Sequence, residues 1–297
     1  AVGPTAEVTA AHSAETVIDA RGKAILPGLV DGHAHAGHGL IKTMGGGRSD
    51  LWYEACARAY TVGSTEGFWH AEAQLAALER IRFGVTTGVS LLGGGDSIMR
   101  TDEPSYGEAH CDGAAAVGGR SVVAIGSTRP PHPLTYARWD ASGRHDRPVS
   151  YAEQLATCRT LIDRRHGAAG GLTRIALLTP TIRPEHRERM AAGDFREAVA
   201  QTQEIHALAV DRGLVFTQDG HGSGSVALAR DIGILGPETL LSHATNLSEA
   251  EIDACAATNA RIAHNPSAIA SVLGRCPAPE LIDRGVASDG SNPAGTA

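Results

Sequence analysis

The chain has 297 residues, 42% hydrophobic and 20% charged, a balance that suits a folded α/β core of one large barrel or two ordinary domains. Its net charge of −7 excludes the basic footprint of a nucleic-acid-binding protein. Five widely separated cysteines (Cys56, Cys111, Cys158, Cys255, Cys276) form no CxxC pair and are read as reduced, structural thiols of a cytoplasmic protein. No stretch reaches the roughly 20 apolar residues of a membrane helix, and no signal peptide is expected.

Short β-branched runs alternate with amphipathic stretches along the chain. An apolar run over 24–30 leads into Asp31 and predicts a first strand. Residues 68–83 carry Ala71, Leu75, Leu78 and Ile81 at helical spacing, and Gly84 stops them. Strands are predicted at 85–89, 121–125 and 173–178, with a helix over 151–165 between the second and third of these. A helix over 195–212 then precedes a strand at 213–217. Short strands follow at 239–242 and 261–263, and between them Ser248 is a good N-cap with Glu249 and Glu251 in the first turn. A short helix at 277–284 and a strand at 285–288 complete the pattern. Eight strand–helix units predict a parallel (β/α)8 barrel, with a doubly wound open sheet as the competing topology. The glycine clusters 45–47 and 93–95 lack the G-x-G-x-x-G spacing of a dinucleotide site.

In a barrel, chemistry lies where strands end. The first strand ends in Asp31-Gly32-His33-Ala34-His35. Histidines at i and i+2 on an extended segment face the same way, so both rings can reach one ion, and imidazole suits zinc and its neighbours. Alone, two such histidines are as readily explained as unrelated loop residues.

The residues before the pair change that. Leu26-Pro27-Gly28-Leu29-Val30-Asp31-Gly32-His33-Ala34-His35 resembles the first-strand signature of the amidohydrolase superfamily. Gly84-Val85-Thr86-Thr87, Ser242-His243, His264-Asn265-Pro266 and Ser288-Asp289-Gly290 resemble later landmarks of its chlorotriazine and nucleobase-deaminase branch, in the same order. The resemblance implies one divalent metal, zinc first and cobalt, manganese or iron behind it, that activates a water. It implies His33 and His35 as ligands and Asp289 as ligand or proton acceptor. His243 would orient the water, or ligate in multi-metal members, and His264 would contact substrate or support its loop. Lysine-bridged metal pairs are not expected, because Lys23 and Lys42 are the only lysines and no later strand carries one.

Thr217-Gln218-Asp219-Gly220-His221-Gly222 stands where deaminases of this branch carry H-x-x-E. His221 is the better ligand on chemistry, and Gln218 is the rival by position. The deaminase proton shuttle is not intact in either alignment. The substitution, with the segment 93–110, resembles phenylurea and thiocarbamate hydrolases. Hydrolysis of an amide, urea, carbamate or thiocarbamate is therefore preferred over deamination of a heteroaromatic ring, and a non-catalytic barrel scaffold is the third reading. Arg183 could bind a carbonyl or developing oxyanion, or lie solvated on the surface. Trp52, Tyr53, Phe68 and Trp69 could wall a substrate pocket, with core packing the default for each. A small-molecule substrate and a homo-oligomer are expected, without nucleic-acid or membrane partners. Residues 1–26 resemble the remnant of a small β-sandwich and 27–297 the barrel, with the sequence expected to be incomplete at both ends.

Overall fold

The computed structural model describes residues 1–93, 99–266, 273–286 and 288–289, with Ser49, Ser288 and Asp289 described by backbone alone. The strands are β1 (Leu29–Asp31), β2 (Val85–Leu91), β3 (Arg120–Gly126), β4 (Leu134–Asp140), β5 (Gly143–Val149), β6 (Thr173–Leu178), β7 (Phe216–Gln218), β8 (Thr239–Ser242), β9 (Arg261–Ala263) and β10 (Ser288–Asp289). Eight of them form one sheet in the order β1-β2-β3-β6-β7-β8-β9-β10, and every ladder in it is parallel.

Both faces of this sheet are buried, as parallel strands with helical crossovers require. On β3, Val123 and Ile125 pack into the cluster shared with the surrounding helices, while Ala124 joins the opposite cluster. On β6, Ile175 and Leu177 face outward in the same way, and Ala176 and Leu178 face inward. This period-2 division is the mark of a sheet with a helical layer outside and a packed interior. The helices themselves begin where the sequence supplies caps. Ser150 and Glu153 form a reciprocal capping box at the start of Tyr151–Arg165, and Ser248 and Glu251 do so for Glu249–Thr258. The long helix Ala192–Arg212 ends on Gly213 in the left-handed conformation.

The sheet curls. His33, just past β1, places Nε2 3.2 Å from Oδ1 of Asp219, just past β7. A flat sheet would hold those strands four spacings, roughly 19 Å, apart. The architecture is therefore a curled parallel α/β sheet, consistent with a TIM-like barrel rather than with a flat doubly wound sheet. No ladder between β1 and β10 is found among the described residues.

Three features depart from expectation. The first strand begins only at Leu29, and residues 24–28 are exposed and unpaired in any ladder. Residues 1–26, expected to be a sandwich remnant, form no strand; they carry one short helix, Thr5–Ala11, with no buried residue. A strand needs a neighbour for its backbone donors and acceptors, and no described segment pairs with this one. Third, β4 and β5 form an antiparallel hairpin with Asp140 opposite Gly143, inserted after β3 and unanticipated from sequence. Arg100 ties it down: the buried guanidinium donates to the carbonyls of Tyr60 and Ala137 and lies over the Tyr106 ring. All five cysteines are free and buried, in keeping with a structural role. No helix of the described residues is long and apolar enough to cross a membrane.

Candidate metal centre

Four side chains from the C-terminal ends of β1, β7 and β8 converge. His33 and His35 follow β1, Asp219 follows β7 and His243 follows β8. Asp219 stands between them. Its Oδ1 is 3.2 Å from His33 Nε2 and 2.7 Å from His243 Nε2, and its Oδ2 is 3.3 Å from His35 Nε2. The His33 ring sits edge-on to both His35 and His243, with centroids 5.1 Å apart in each case.

The orientation of each ring has a local cause. His35 Nδ1 lies 2.9 Å from the Gly93 carbonyl, which fixes a proton on Nδ1 and turns the Nε2 lone pair toward Asp219. The backbone N–H of His33 donates to Asp31 Oδ1, and Asp31 Oδ2 accepts from the Nε of the buried Arg80. Arg80 also donates to Ser90 Oγ and the Val89 carbonyl, so the pair is locked to β2. His243 takes a left-handed backbone, φ 68°, which costs a non-glycine residue about 1–3 kcal/mol and persists only where surroundings enforce it. Its N–H donates to the Ala263 carbonyl at 3.0 Å. Ser242 Oγ donates to Asp219 Oδ1 at 3.0 Å.

Charge follows from these contacts. Burial alone would raise the Asp219 carboxyl, but His35, His33 and the His243 hydrogen bond outweigh it and hold it well below the usual carboxylate range. Burial pushes His33 down to about 4, against the pull of Asp219. A neutral His33 and an ionised Asp219 are the protonation states that metal ligands need.

The residues fit a divalent cation on two further counts. His33 is 2% exposed, yet neither ring nitrogen has a hydrogen-bond partner among the described residues, and His243 Nδ1 also lacks one. Buried polar atoms are almost always satisfied, so such orphans call for an explanation. His33 Nε2 faces Asp219 outside hydrogen-bond geometry at 3.2 Å, and His35 Nε2 stands at 3.3 Å. Nitrogen and oxygen ligands roughly 2.0–2.1 Å from a tetrahedral zinc stand roughly 3.3 Å from one another. The ligand atoms of His33, Asp219 and His243 all lie within 4.8 Å of one another.

Other candidates stand elsewhere. Gln218 and His221 pair with each other rather than turning to the histidines. Gln218 Nε2 donates to Thr179 Oγ1 and the Pro180 carbonyl, which leaves its Oε1 facing His221 Nε2 at 3.1 Å. His221 Nδ1 in turn lies 2.9 Å from Ser225 Oγ, which itself donates to the Gly222 carbonyl. Burial and the Arg183 charge push His221 down to about 3. With both nitrogens engaged, His221 ties the loop together. Arg183 donates from Nη2 to the Gly220 carbonyl at 2.8 Å and so props the same loop. His264 follows β9, half-buried, with Nδ1 lacking a partner among the described residues and its pKa lowered by burial. Asp289 ends β10 opposite Ala263, and its side chain lies outside the described residues. Lys42 pairs with Glu79 at 3.7 Å and Lys23 is exposed, so neither approaches the histidines. Of the four aromatics, Trp69 is fully buried, Trp52 and Phe68 pack on the same cluster, and Tyr53 is exposed.

Asp219 is the residue that motif matching passed over. A physical signal for it exists. Phe216 points outward against the Ala192–Arg212 helix, where its ring meets His206. The period of two then sends Gln218 outward and Asp219 inward, one residue past the strand end.

No family model matches the chain. It is 26% identical over 292 residues to a 5-methylthioadenosine/S-adenosylhomocysteine deaminase of Nitratidesulfovibrio vulgaris, covering 97% of this chain and 60% of that protein. It is 25% identical over 279 residues to a 5'-deoxyadenosine deaminase of Methanothermobacter thermautotrophicus, covering 92% and 58%. The chain thus spans about three fifths of the curated relatives it matches. Among solved structures, an atrazine chlorohydrolase of Arthrobacter aurescens complexed with zinc superposes with a TM-score of 0.64 at 19% identity, over 91% of this chain and 61% of that one. An adenosine deaminase of Xanthomonas campestris with bound zinc gives the same TM-score and identity over 91% and 57%. In sequence the chain is thus similar to nucleoside deaminases, and in fold to zinc-bound hydrolases.

Proposed function

We propose that this chain supplies the barrel of a metal-dependent hydrolase that cleaves a carbon–nitrogen bond outside peptides. The convergence of His33, His35, His243 and Asp219 at the C-terminal ends of the strands is the observation that carries this reading. These four residues would hold one divalent cation, with zinc the best match to three imidazoles and a carboxylate. Zinc in two structural neighbours supports that choice. Residues 27–297 belong to the barrel in this reading, and the exposed residues 1–26 lie outside it.

The metal, when bound, supplies a water acidified from a pKa of roughly 15.7 toward about 7, a nucleophile near neutral pH. The chain's own groups do the rest. With His243 Nε2 on the cation, the Ser242 hydroxyl would still hold Asp219 Oδ1, and the carboxylate so fixed would take the nucleophile's proton. His243 is held in one orientation by its enforced backbone; with Nε2 on the cation it would carry its proton on Nδ1, from which it could polarise a carbonyl or protonate the leaving nitrogen. His264 and Asp289 end neighbouring strands on the same rim and are further candidates for substrate contact or proton transfer.

Ureas, carbamates, thiocarbamates and amides are the preferred substrates, because H-x-x-E is absent after β7. Deamination of a heteroaromatic ring is the second reading. Two observations favour it: Asp219 places a carboxylate beside the histidines, and the sequence relatives above are nucleoside deaminases by name. Turnover of the zinc-loaded protein against a panel of phenylureas, carbamates, thiocarbamates and adenine nucleosides, scored for ammonia and amine release, separates them. Amine release from ureas or carbamates is expected. Ammonia from adenine nucleosides alone would establish the second reading, and no turnover with no retained metal would leave a barrel without catalysis.

A further inference from the structure

Behind His35 stands a third histidine that neither the motif nor the ligand set uses. The His38 ring lies parallel to the His35 ring, with centroids 4.4 Å apart and planes 16° apart. It is also edge-on to Trp52 at 5.0 Å. Three separate devices hold it there. His38 Nδ1 makes a short hydrogen bond with the Tyr60 hydroxyl, and the Tyr60 ring is fully buried on the π-helical turn Ala59–Gly63. Gly37 turns the chain with φ 99°, and a Cβ there would meet the Tyr60 ring at 2.4 Å. Glu72 accepts from the N–H groups of Gly39 and Leu40 at 2.9 and 2.7 Å, pinning the start of the short helix His38–Ile41.

The Gly93 carbonyl fixes His35 at one atom, which still permits the ring to tilt about that contact. A parallel aromatic plate at stacking distance removes the tilt. We propose that His38, clamped by Tyr60, is a positioning residue that sets the plane of His35 and hence the direction of its Nε2 lone pair. The inference rests on the reading of His35 as a metal ligand. Outer groups that orient a ligating histidine typically contribute about 10- to 100-fold in metal affinity.

Zinc affinity by competition with a chromophoric chelator, and the visible spectrum of the cobalt-substituted full chain, test it in the parent, His38→Ala and His38→Phe. The parent binding zinc is the test of the site itself; if it does not bind, that reading fails before this one is reached. Given binding, His38→Ala is expected to weaken zinc about 10- to 100-fold and to shift the cobalt bands. His38→Phe keeps a plate and is expected to restore affinity to within about threefold of the parent, a rescue that a merely structural role would not produce. Parent-like affinity and bands in His38→Ala, or no rescue by phenylalanine, would overturn the proposal. Should His38→Ala fail to fold, Tyr60→Phe removes only the clamp: a shifted band supports the proposal and an unchanged one overturns it.

Discussion

The Asp219 carboxylate accepts from His243 Nε2 at 2.7 Å, joining the ends of two adjacent strands, β7 and β8. The same carboxylate faces the two histidines after β1 from across the barrel mouth. Asp219→Asn keeps the shape and a carbonyl oxygen but removes the charge. Zinc affinity is expected to fall by more than the roughly 10- to 100-fold typical of outer residues. Calorimetric titration of both proteins checks this, and equal affinities would remove Asp219 from the ligand set.

Arg80 and Asp31 form a buried pair at 3.0 Å beneath the His33 backbone. Arg80→Met preserves much of the volume but leaves Asp31 buried without its partner. A loss of about 3–5 kcal/mol of folding stability is expected. Urea unfolding measures it, and a change below about 1 kcal/mol would contradict the role given to the pair.

His110 gives the fold a pH dependence. Burial and the Arg80 charge push it down to about 3 in the folded protein. In the unfolded chain a histidine binds its proton near pH 6.5. Between those values the unfolded chain holds one more proton, so this contribution is complete above pH 6.5 and is lost as pH falls toward 3. The slope is about 1.4 kcal/mol per pH unit. His110→Leu is expected to flatten the stability profile between pH 5 and about 6.5 by that amount. An unchanged slope in urea melts across this range would refute the assignment.

Arg183 separates two roles. As a prop on the Gly220 carbonyl it acts on the metal site through the loop that carries Asp219. A charged hydrogen bond of this kind contributes about 1.5–3 kcal/mol, so Arg183→Met is expected to weaken zinc roughly 10- to 100-fold. Unchanged zinc affinity with a lower kcat would instead favour the oxyanion role.

Much of the barrel was legible in the sequence because a parallel strand announces itself by a β-branched run and a helix by its 3.6 spacing. β6 falls at 173–178, where its apolar run predicts it, and Ser248 caps its helix as expected. The β4–β5 hairpin was not legible, because six of its residues are charged or histidine and its exposed strand β5 carries almost no aliphatic pattern. Residues 24–28 read as strand from composition alone, yet no described segment pairs with them in a ladder. At the site, the β1 histidines and His243 were recognisable from their motifs. Gln218 is suggested by motif position and His221 by its chemistry, whereas the alternation of β7 sends Gln218 outward and gives the inward place to Asp219. The His38 plate depends on a ring 22 residues away and has no local signal.

The central claim is that one divalent metal is held by His33, His35, His243 and Asp219. Anomalous scattering at the zinc edge from crystals of the zinc-loaded protein tests it most directly. A single peak roughly 2.0–2.2 Å from the three Nε2 atoms and an Asp219 oxygen is the predicted result. A peak bound through Gln218 or His221 with Asp219 outside its reach, or no peak at the histidines, would contradict the account.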